Sequence, residues 1–468
     1  MRVLSASRSP STGCVVMVDP YHEYAAAFSR SAREEHGLGT FCIYTSEKAH
    51  FYRSRSGPVP PREAIIGEIQ LDDVSELGAV GPLLRTIAHP RGVLPITEDT
   101  MSRSIDVASH LGLLWSPEPV LRRFRDKYAM KAHVRRTAPN VRIGDSRLVA
   151  TADDVFRNSP PSRFVIKPNA GHGNRDVRIF GATDRNAVDG YCRDHAGESL
   201  VLEEYIGGIE YFVNGQTDAA GAVQVLAIFE YHRVTENGLE TIIAQTRKVN
   251  RRESVFARLE EYAARVIRAT GLQRSPFHMD VKVDDVGPSM IEVGARLAGK
   301  GNAFDCNSLH AGAVNLFDVA TAHLVRPTTF VDGWVDWTNY ETRELLYVHG
   351  ISSTSGHLWQ IDGVADVEAM PEFHRWLVKP ARGDALVVTK DLHSIPYLVA
   401  LMSVEGEEGL RDAATQVRTL LRLNESSRSV WRIAIWMRGL AAHIIRRLHW
   451  SLASTLRRLL PQLVQELP

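Results

Sequence analysis

The sequence predicts a multidomain chain that combines α/β with α+β architecture, and three observations carry this. The chain has 468 residues, against roughly 150 for an ordinary domain. Near the N-terminus, strand-like apolar runs alternate with helix-period stretches, the order that builds a parallel sheet. Farther along, strand signals follow one another closely, as in α+β units. Hydrophobic residues at 44% and charged residues at 24% are ordinary for folded soluble chains and exclude wholesale disorder. Lys+Arg and Asp+Glu each number 55, so no global basic field draws in nucleic acid, and none is expected as a partner.

Taken in order, residues 14–19 (CVVMVD) read as a strand, 21–35 as a helix and 40–44 as a second strand. Residues 92–96 form another apolar run, and 98–111 read as a helix whose acidic cap is Glu98. A Rossmann-like α/β domain is therefore expected over 1–118. Residues 119–138, with Val120, Phe124, Tyr128 and Ala132 at helical spacing among many Arg and Lys, read as one surface helix with a basic face. Strands at 164–167, 177–180 and 201–204 around a helical interval at 184–196 make a small α+β unit, expected over 119–206.

A larger unit is expected over 207–326. Residues 211–214 and 223–230 read as strands, and 254–270 as a helix stopped by Gly271. Residues 277–283 and 290–293 bracket the turn-rich DDVGP as a hairpin. A further strand-rich unit with a helix at 405–423 is expected over 327–424. The tail, 425–468, holds seven arginines against two acids, interleaved with Trp431, Trp436 and Trp450. It reads as a basic amphipathic segment, suited to an anionic membrane surface or an apolar protein patch, with packing or oligomerisation the plainer role.

Cys14, Cys42, Cys192 and Cys306 are scattered, without the close pairs of zinc or redox motifs, which fits a reducing compartment. The first dozen residues lack an apolar core of the secretory type. No run reaches about 18 uncharged apolar residues. The expected location is the cytoplasm.

Three segments carry candidate chemistry. In 164–180, FVIKPNAGHGNRDVRIF, a strand ending in Lys167 leads into a loop with Gly171 and Gly173 and then a second strand. Glycines let backbone N–H groups approach phosphate oxygens, and the lysine adds a compact charge. A plain glycine-containing hairpin is the alternative. In VLEEYIGGIEYFVN, Glu203, Glu204 and Glu210 flank a Gly-Gly hinge whose backbone could imitate base pairing with adenine; solvated surface acids are the alternative.

The third segment is the most specific: HMDVKVDDVGPSMIEVGARLAGKGN, 278–302. A hairpin centred on Val286 sets Asp280 directly opposite Glu292 on one face, where like charges repel. A hard cation removes that penalty, since Mg²⁺ takes carboxylate oxygens and keeps positions for phosphates. A register slipped by one residue would send the two acids to opposite faces. Arg296, four residues on, offers a permanently charged fork suited to a transferring phosphoryl group, or else a surface ion pair.

The order of basic helix, Lys strand, Gly loop, acidic hinge, carboxylate hairpin and Arg resembles the ATP-grasp superfamily. DKYAMK (126–131), FVIKPNAGHGN (164–174), LEEYIGGIEY (202–211) and IEVGARLAGKGN (291–302) look most like carboxylate-amine ligases related to bacterial L-amino acid ligases. The likeness is strong over roughly 120–320. Outside it, VVMVDP suggests the usual preceding α/β domain, and 383–403 is similar to a lid-like C-terminal region.

The resemblance implies roles. Lys127 and Lys167 would hold ATP phosphates under the loop containing Gly171, His172, Gly173 and Asn174. Glu203 and Ile206 would meet adenine through their backbones, Glu204 would lie in the same hinge, and Glu210 would bind ribose. Asp280 and Glu292 would carry magnesium, two ions in all, with Mn²⁺ able to substitute. Arg296 would steady the phosphoryl group. Two departures stand out: Gly294 replaces the Asn ligand of D-alanine ligases and many other relatives, and Asp280 stands where the L-amino acid ligase branch often has Glu.

The implied reaction joins a small carboxylic acid and an amine, both expected to be amino acids, through an acylphosphate, releasing ADP and phosphate. Among the histidines, His278 is the best placed to act as a base, although a structural role is the stronger expectation. Related ligases often dimerise, so a homodimer is expected. Rival readings are another ATP-grasp reaction such as carboxylation, although no biotinyl-lysine signature is present, and a noncatalytic nucleotide-binding scaffold docking through its tail.

Overall fold

The computed structural model describes residues 2–6, 13–20, 22–45, 65–72, 76–96, 98, 100–157, 159–170, 176–298, 314–326, 330, 335–392, 394–403 and 406–426. The chain opens with β1 (Arg2–Ala6), β2 (Cys14–Val18), α1 (His22–His36), β3 (Gly39–Thr45), β4 (Ile65–Leu71), α2 (Leu77–Ile87), β5 (Pro90–Val93) and α3 (Met101–Leu111). These strands form one sheet in the order β1-β4-β3-β2-β5, parallel except for β1 against β4. Every residue of β2 is buried, as an unbroken apolar run requires when helices cover both faces. Successive strands β3 and β4 are added on one side of β2 and β5 on the other, and such a switch in strand order leaves a crevice at the strands' carboxyl ends. Glu98 follows β5 at that end.

Two expectations change here. The helix expected from Glu98 begins at Met101, behind Thr100, because the Glu98 carboxylate is engaged elsewhere. The single basic helix over 119–138 is two, α4 (Glu118–Arg123) and α5 (Lys127–Thr137). Asp126 makes the break: its extended backbone leaves the helix, and its carboxylate accepts a 2.7 Å hydrogen bond from the Ala129 N–H. Nor is α5 all surface, since Met130, Lys131 and Val134 are buried.

The small lobe continues with β6 (Ser146–Val149), α6 (Ala152–Phe156), β7 (Arg163–Pro168), β8 (Arg178–Gly181), α7 (Arg185–Asp194) and β9 (Leu200–Glu204). Its antiparallel sheet runs β6-β9-β7-β8 over a core that includes Phe164, Ile166, Val188 and Leu200. The Gly-Gly hinge then enters the large lobe. Gly208 takes φ +80°, and a Cβ there would lie 2.0 Å from the Val283 carbonyl oxygen, so the close approach of these two backbones needs glycine.

The large lobe comprises β10 (Ile209–Thr217), β11 (Val223–Glu236), β12 (Leu239–Lys248), α8 (Ser254–Thr270), β13 (Pro276–Val283), β14 (Pro288–Gly294) and α9 (Leu316–Val325). Helix α8 has the expected bounds, and Gly271 ends it at φ 76°. Beyond it lie α10 (Trp337–Thr342), β15 (Glu344–His349), β16 (Gly356–Asp362), α11 (Val364–Glu368), β17 (Phe373–Val378), β18 (Ala385–Leu386), β19 (Leu398–Ser403), α12 (Glu407–Leu420) and β20 (Arg422–Ser426). The main sheet has the order β14-β13-β10-β11-β12-β15-β19-β17, so the segment read as a separate C-terminal unit extends the large lobe's sheet. A smaller sheet, β18-β16-β20, carries the chain past the expected boundary at 424, and Arg422 and Leu423 lie in β20 rather than in the helix expected over 405–423. The tail beyond Ser426 lies outside the described residues. No helix among the described residues is long and apolar enough to cross a membrane.

Candidate active site

The site begins with the hairpin. Asp285 and Val286 form its two-residue turn, closed by the Gly287 N–H on the Asp284 carbonyl at 3.1 Å. From the turn upward, Val283 faces Pro288, Lys282 faces Ser289 and Val281 faces Met290. That register alone would set Asp280 against Ile291. A bulge at this point shifts the ladder by one residue, and beyond it Asp280 faces Glu292 and His278 faces Gly294. The expected pairing therefore exists, but the bulge creates it and not a turn centred on Val286.

Two like charges now sit side by side in a half-buried place. Burial, then Glu292 and Glu210, push the Asp280 carboxyl well above its ordinary range. Glu292 goes the other way: burial opposes its charge, but Lys127, Lys167 and Arg296 hold it down to about 2. Lys127 Nζ lies 3.4 Å from Glu292 Oε2. Asp280 Oδ1 is fully buried with no hydrogen-bond partner. His278 Nε2 stands 3.6 Å from that oxygen, and Nδ1 meets Asn214 Oδ1 at 2.8 Å. Burial and Arg296 hold the His278 imidazole down to about 3, hence neutral.

Across the cleft, β9 brings Glu203 between two lysines. Lys131 Nζ and Lys167 Nζ lie 2.8 and 2.9 Å from the same oxygen, Oε2, and all three side chains are at most 5% exposed. Glu203 stays ionised although burial opposes it, because both ammonium groups favour the anion. Burial holds Lys131 down to about 8 against the pull of Glu203, whereas in Lys167 the attractions of Glu203 and Glu292 outweigh burial. Lys131 is one helical turn from Lys127 on α5, so the spacing could have revealed it; its charge instead assigned it to a solvated face.

The hinge end is partly apolar. Val165, Ile179, Tyr205, Ile206 and Ile291 line a cleft of about 900 Å³, open mouth included, together with Lys127, Lys167, Glu203, Glu204, Glu210, Asp280 and Glu292. Lys282 Nζ donates to the Ile206 carbonyl at 3.1 Å. The Glu203 backbone lies inside the sheet, opposite Ser146 on one side and Val165 on the other, and its side chain meets Lys131 and Lys167. Arg233 Nε donates to Glu210 Oε2 at 3.0 Å, with Nη2 on Oε1. Arg233 and Lys282 were not legible as site residues, since a strand alternates its faces and nothing in sequence says which face meets the cleft.

The structure thus gathers Lys127, Lys167, Glu203, Glu204, Ile206, Glu210, Asp280 and Glu292 around one cleft. Gly171, His172, Gly173 and Asn174 lie outside the described residues. Arg296, just past the hairpin, is not among the residues lining that cleft, although its charge acts on Glu292; its Nε donates to Glu98 Oε2 at 2.8 Å and its Nη1 to the Leu297 carbonyl at 3.1 Å. Among the described residues no cluster of three or more His, Cys, Asp or Glu could hold a metal ion by itself. The Asp280–Glu292 pair nevertheless fits a hard cation, because it offers two carboxylates and a buried oxygen lacking a donor. Mg²⁺ commonly binds through one or two carboxylates and completes its shell with phosphate and water. The free thiols Cys14, Cys42 and Cys192 are buried, remote in kind from activated nucleophiles.

Comparison with known proteins places this geometry. Residues 161–303 match a family model described as an ATP-grasp domain. Dapdiamide A synthase of Enterobacter agglomerans is 24% identical over 210 residues, a match spanning 43% of this chain and 46% of that protein, just under half its length. Among solved structures, an L-amino acid ligase from Bacillus licheniformis superposes with a TM-score of 0.72 at 17% identity, covering 89% of this chain and 100% of that one. An N5-carboxyaminoimidazole synthetase from Staphylococcus aureus complexed with ADP superposes at 0.61 with 12% identity, covering 88% and 99%. This chain carries an ATP-grasp domain and has the ATP-grasp fold.

Proposed function

We propose that this protein is an enzyme, an ATP-dependent carboxylate-amine ligase that forms a dipeptide-like amide bond. The observation that carries the reading is the opposed Asp280 and Glu292 beside two buried or half-buried lysines in a single cleft. The names of an L-amino acid ligase and of dapdiamide A synthase among its likenesses support an amide-forming reaction.

In this reading the base lies among Val165, Ile179, Tyr205 and Ile206, with Glu210 at the ribose, and Lys127 and Lys167 hold the phosphates. Asp280 and Glu292 would hold Mg²⁺, or Mn²⁺ in its place, which neutralises phosphate charge when bound. A substrate carboxylate oxygen attacks the γ-phosphorus, the bond to the β,γ-bridging oxygen breaks, and ADP leaves. The amine nitrogen then attacks the acyl carbon, the C–N bond forms, phosphate departs and the amine loses a proton. The residues of this chain act by positioning and by compensating charge. No protein nucleophile is needed. Substrates are small acids and amines, most simply amino acids. The C-terminal region as a lid, a homodimer and a peripheral contact through 425–468 belong to the same proposal.

The test is a phosphate-release screen over pairs of amino acids, with mass spectrometry of the products. The reading expects ADP, phosphate and a condensed product in equal amounts, all dependent on the amine. Bicarbonate-dependent release without an amine would favour carboxylation, and nucleotide binding with no turnover over a broad panel would favour a scaffold.

A further inference from the structure

Glu98 belongs by sequence to the first domain, 198 residues from Arg296, yet the two side chains form a largely buried ion pair, at 14% and 10% exposure. Its other oxygen, Oε1, accepts from Arg125 Nη1 in the break between α4 and α5. One carboxylate thus joins the loop after β5, the α4–α5 junction and the segment following the carboxylate hairpin. Guanidinium groups occupy both of its oxygens, so it is spoken for and not available as a metal ligand or a receptor for a free amine.

Position 294 explains the arrangement. A Cβ built on Gly294 would lie 2.9 Å from Glu98 Oε2 and 3.2 Å from both Cζ and Nε of Arg296. The Glu98–Arg296 pair occupies the space that a side chain at 294 would fill. Gly294 has no positive φ demanding glycine, so the lack of a side chain there serves the pair and not the backbone. With Nε on Glu98 and Nη1 on the Leu297 carbonyl, the guanidinium plane is fixed, and Nη2 makes no hydrogen bond among the described residues.

We propose that Glu98 is a positioning residue: it holds Arg296 through Nε so that Nη2 addresses the terminal phosphoryl group, and Gly294 keeps the room for it. The inference rests on the nucleotide reading above, and deepens it by making the first domain part of phosphoryl recognition.

The probes are ADP and AMP-PNP with Mg²⁺, followed by calorimetric titration of the full chain, which needs no knowledge of the acid or amine. Removing Arg296 (Arg296→Gln) should weaken AMP-PNP about 10-fold, the effect of losing one charge-assisted hydrogen bond, and leave ADP within about 2-fold. Glu98→Gln should show the same selective loss, and the double variant should be no worse than Arg296→Gln alone, since both changes silence one guanidinium. Gly294→Ala should copy Glu98→Gln with every charge in place, and it serves if Glu98→Gln does not fold. A Glu98→Gln protein with wild-type preference for AMP-PNP over ADP, an equal weakening of both nucleotides, or additive losses in the double variant would overturn the proposal. If the wild type binds neither nucleotide, the nucleotide reading itself has failed. If it binds both and only Glu98 proves indifferent, that reading stands and this inference falls.

Discussion

The cleft holds two carboxylate centres built on opposite principles. Glu203 on the small lobe is closed: one anion, two lysines, all three side chains at most 5% exposed. The hairpin pair on the large lobe is open: two acids face each other, and an oxygen of Asp280 is buried without a partner. Both lie within the same pocket lining, so solvent access alone does not distinguish them. A closed centre is matched when the protein is empty and serves to hold Lys167 in place. In the open centre Lys127 lies beside Glu292, while the Asp280 oxygen is left for something positive to meet. The fold thus keeps Glu203 fully paired and leaves an unpartnered Asp280 oxygen where, in the proposed reading, a cation would enter.

Breaking each centre should therefore have opposite consequences. The largest effect is expected for Glu203→Gln, which strands two buried ammonium groups and should cost about 3–5 kcal/mol of stability, readable by denaturant unfolding. A loss under about 1 kcal/mol would show that water already relieves that site. Asp280→Asn should do the reverse, lowering turnover about 10²–10³-fold, the scale of losing a preorganised electrostatic group, while melting no lower than the wild type, because the buried carboxyl that Glu292 and Glu210 disfavour as an anion is removed. Steady-state rates and a melting curve on the same sample decide it.

A third prediction uses pH. Burial lowers Lys131 from its ordinary 10.5 to about 8, so between those values the unfolded chain binds more protons than the native one. Stability contributed by this group then rises with pH across that window. The difference in unfolding free energy between the wild type and Lys131→Met should therefore climb from about pH 8 towards 10, and a flat difference would mean the lysine is not desolvated. The smallest effect is expected at the far end of the hairpin. Val286 is 79% exposed, and Val286→Ser should leave stability within about 0.5 kcal/mol and turnover unchanged, which would locate the hairpin's chemistry above the bulge.

The open centre was easier to read from sequence than the closed one. Asp280 and Glu292 are both acids on a recognisable hairpin, and their clash is itself a signal. Lys131, Glu203 and Arg296 form pairs across 72, 36 and 198 residues, and a pair between opposite charges looks like surface chemistry until the fold joins it. Glu98 reads in sequence as a helix cap, because acids before helices usually are caps, whereas its carboxylate meets Arg296 and Arg125. In the fold, β12 went unrecognised: Glu240, Thr241, Gln245, Thr246, Arg247 and Lys248 obscure the buried Ile242, Ile243 and Ala244. The parallel strand β2 and helix α8 were legible because burial on both faces, or along one stripe, writes itself into hydrophobic pattern.

The central claim is that the hairpin acids bind a divalent cation together with a nucleotide. Titrating Mn²⁺ into the protein with and without ADP, and following the free-ion signal by electron paramagnetic resonance, tests this most directly. The account predicts Mn²⁺ uptake that strengthens when ADP is present and is lost in both Asp280→Asn and Glu292→Gln proteins that remain folded. Equal ADP-dependent uptake in the wild type and in those two variants would contradict it.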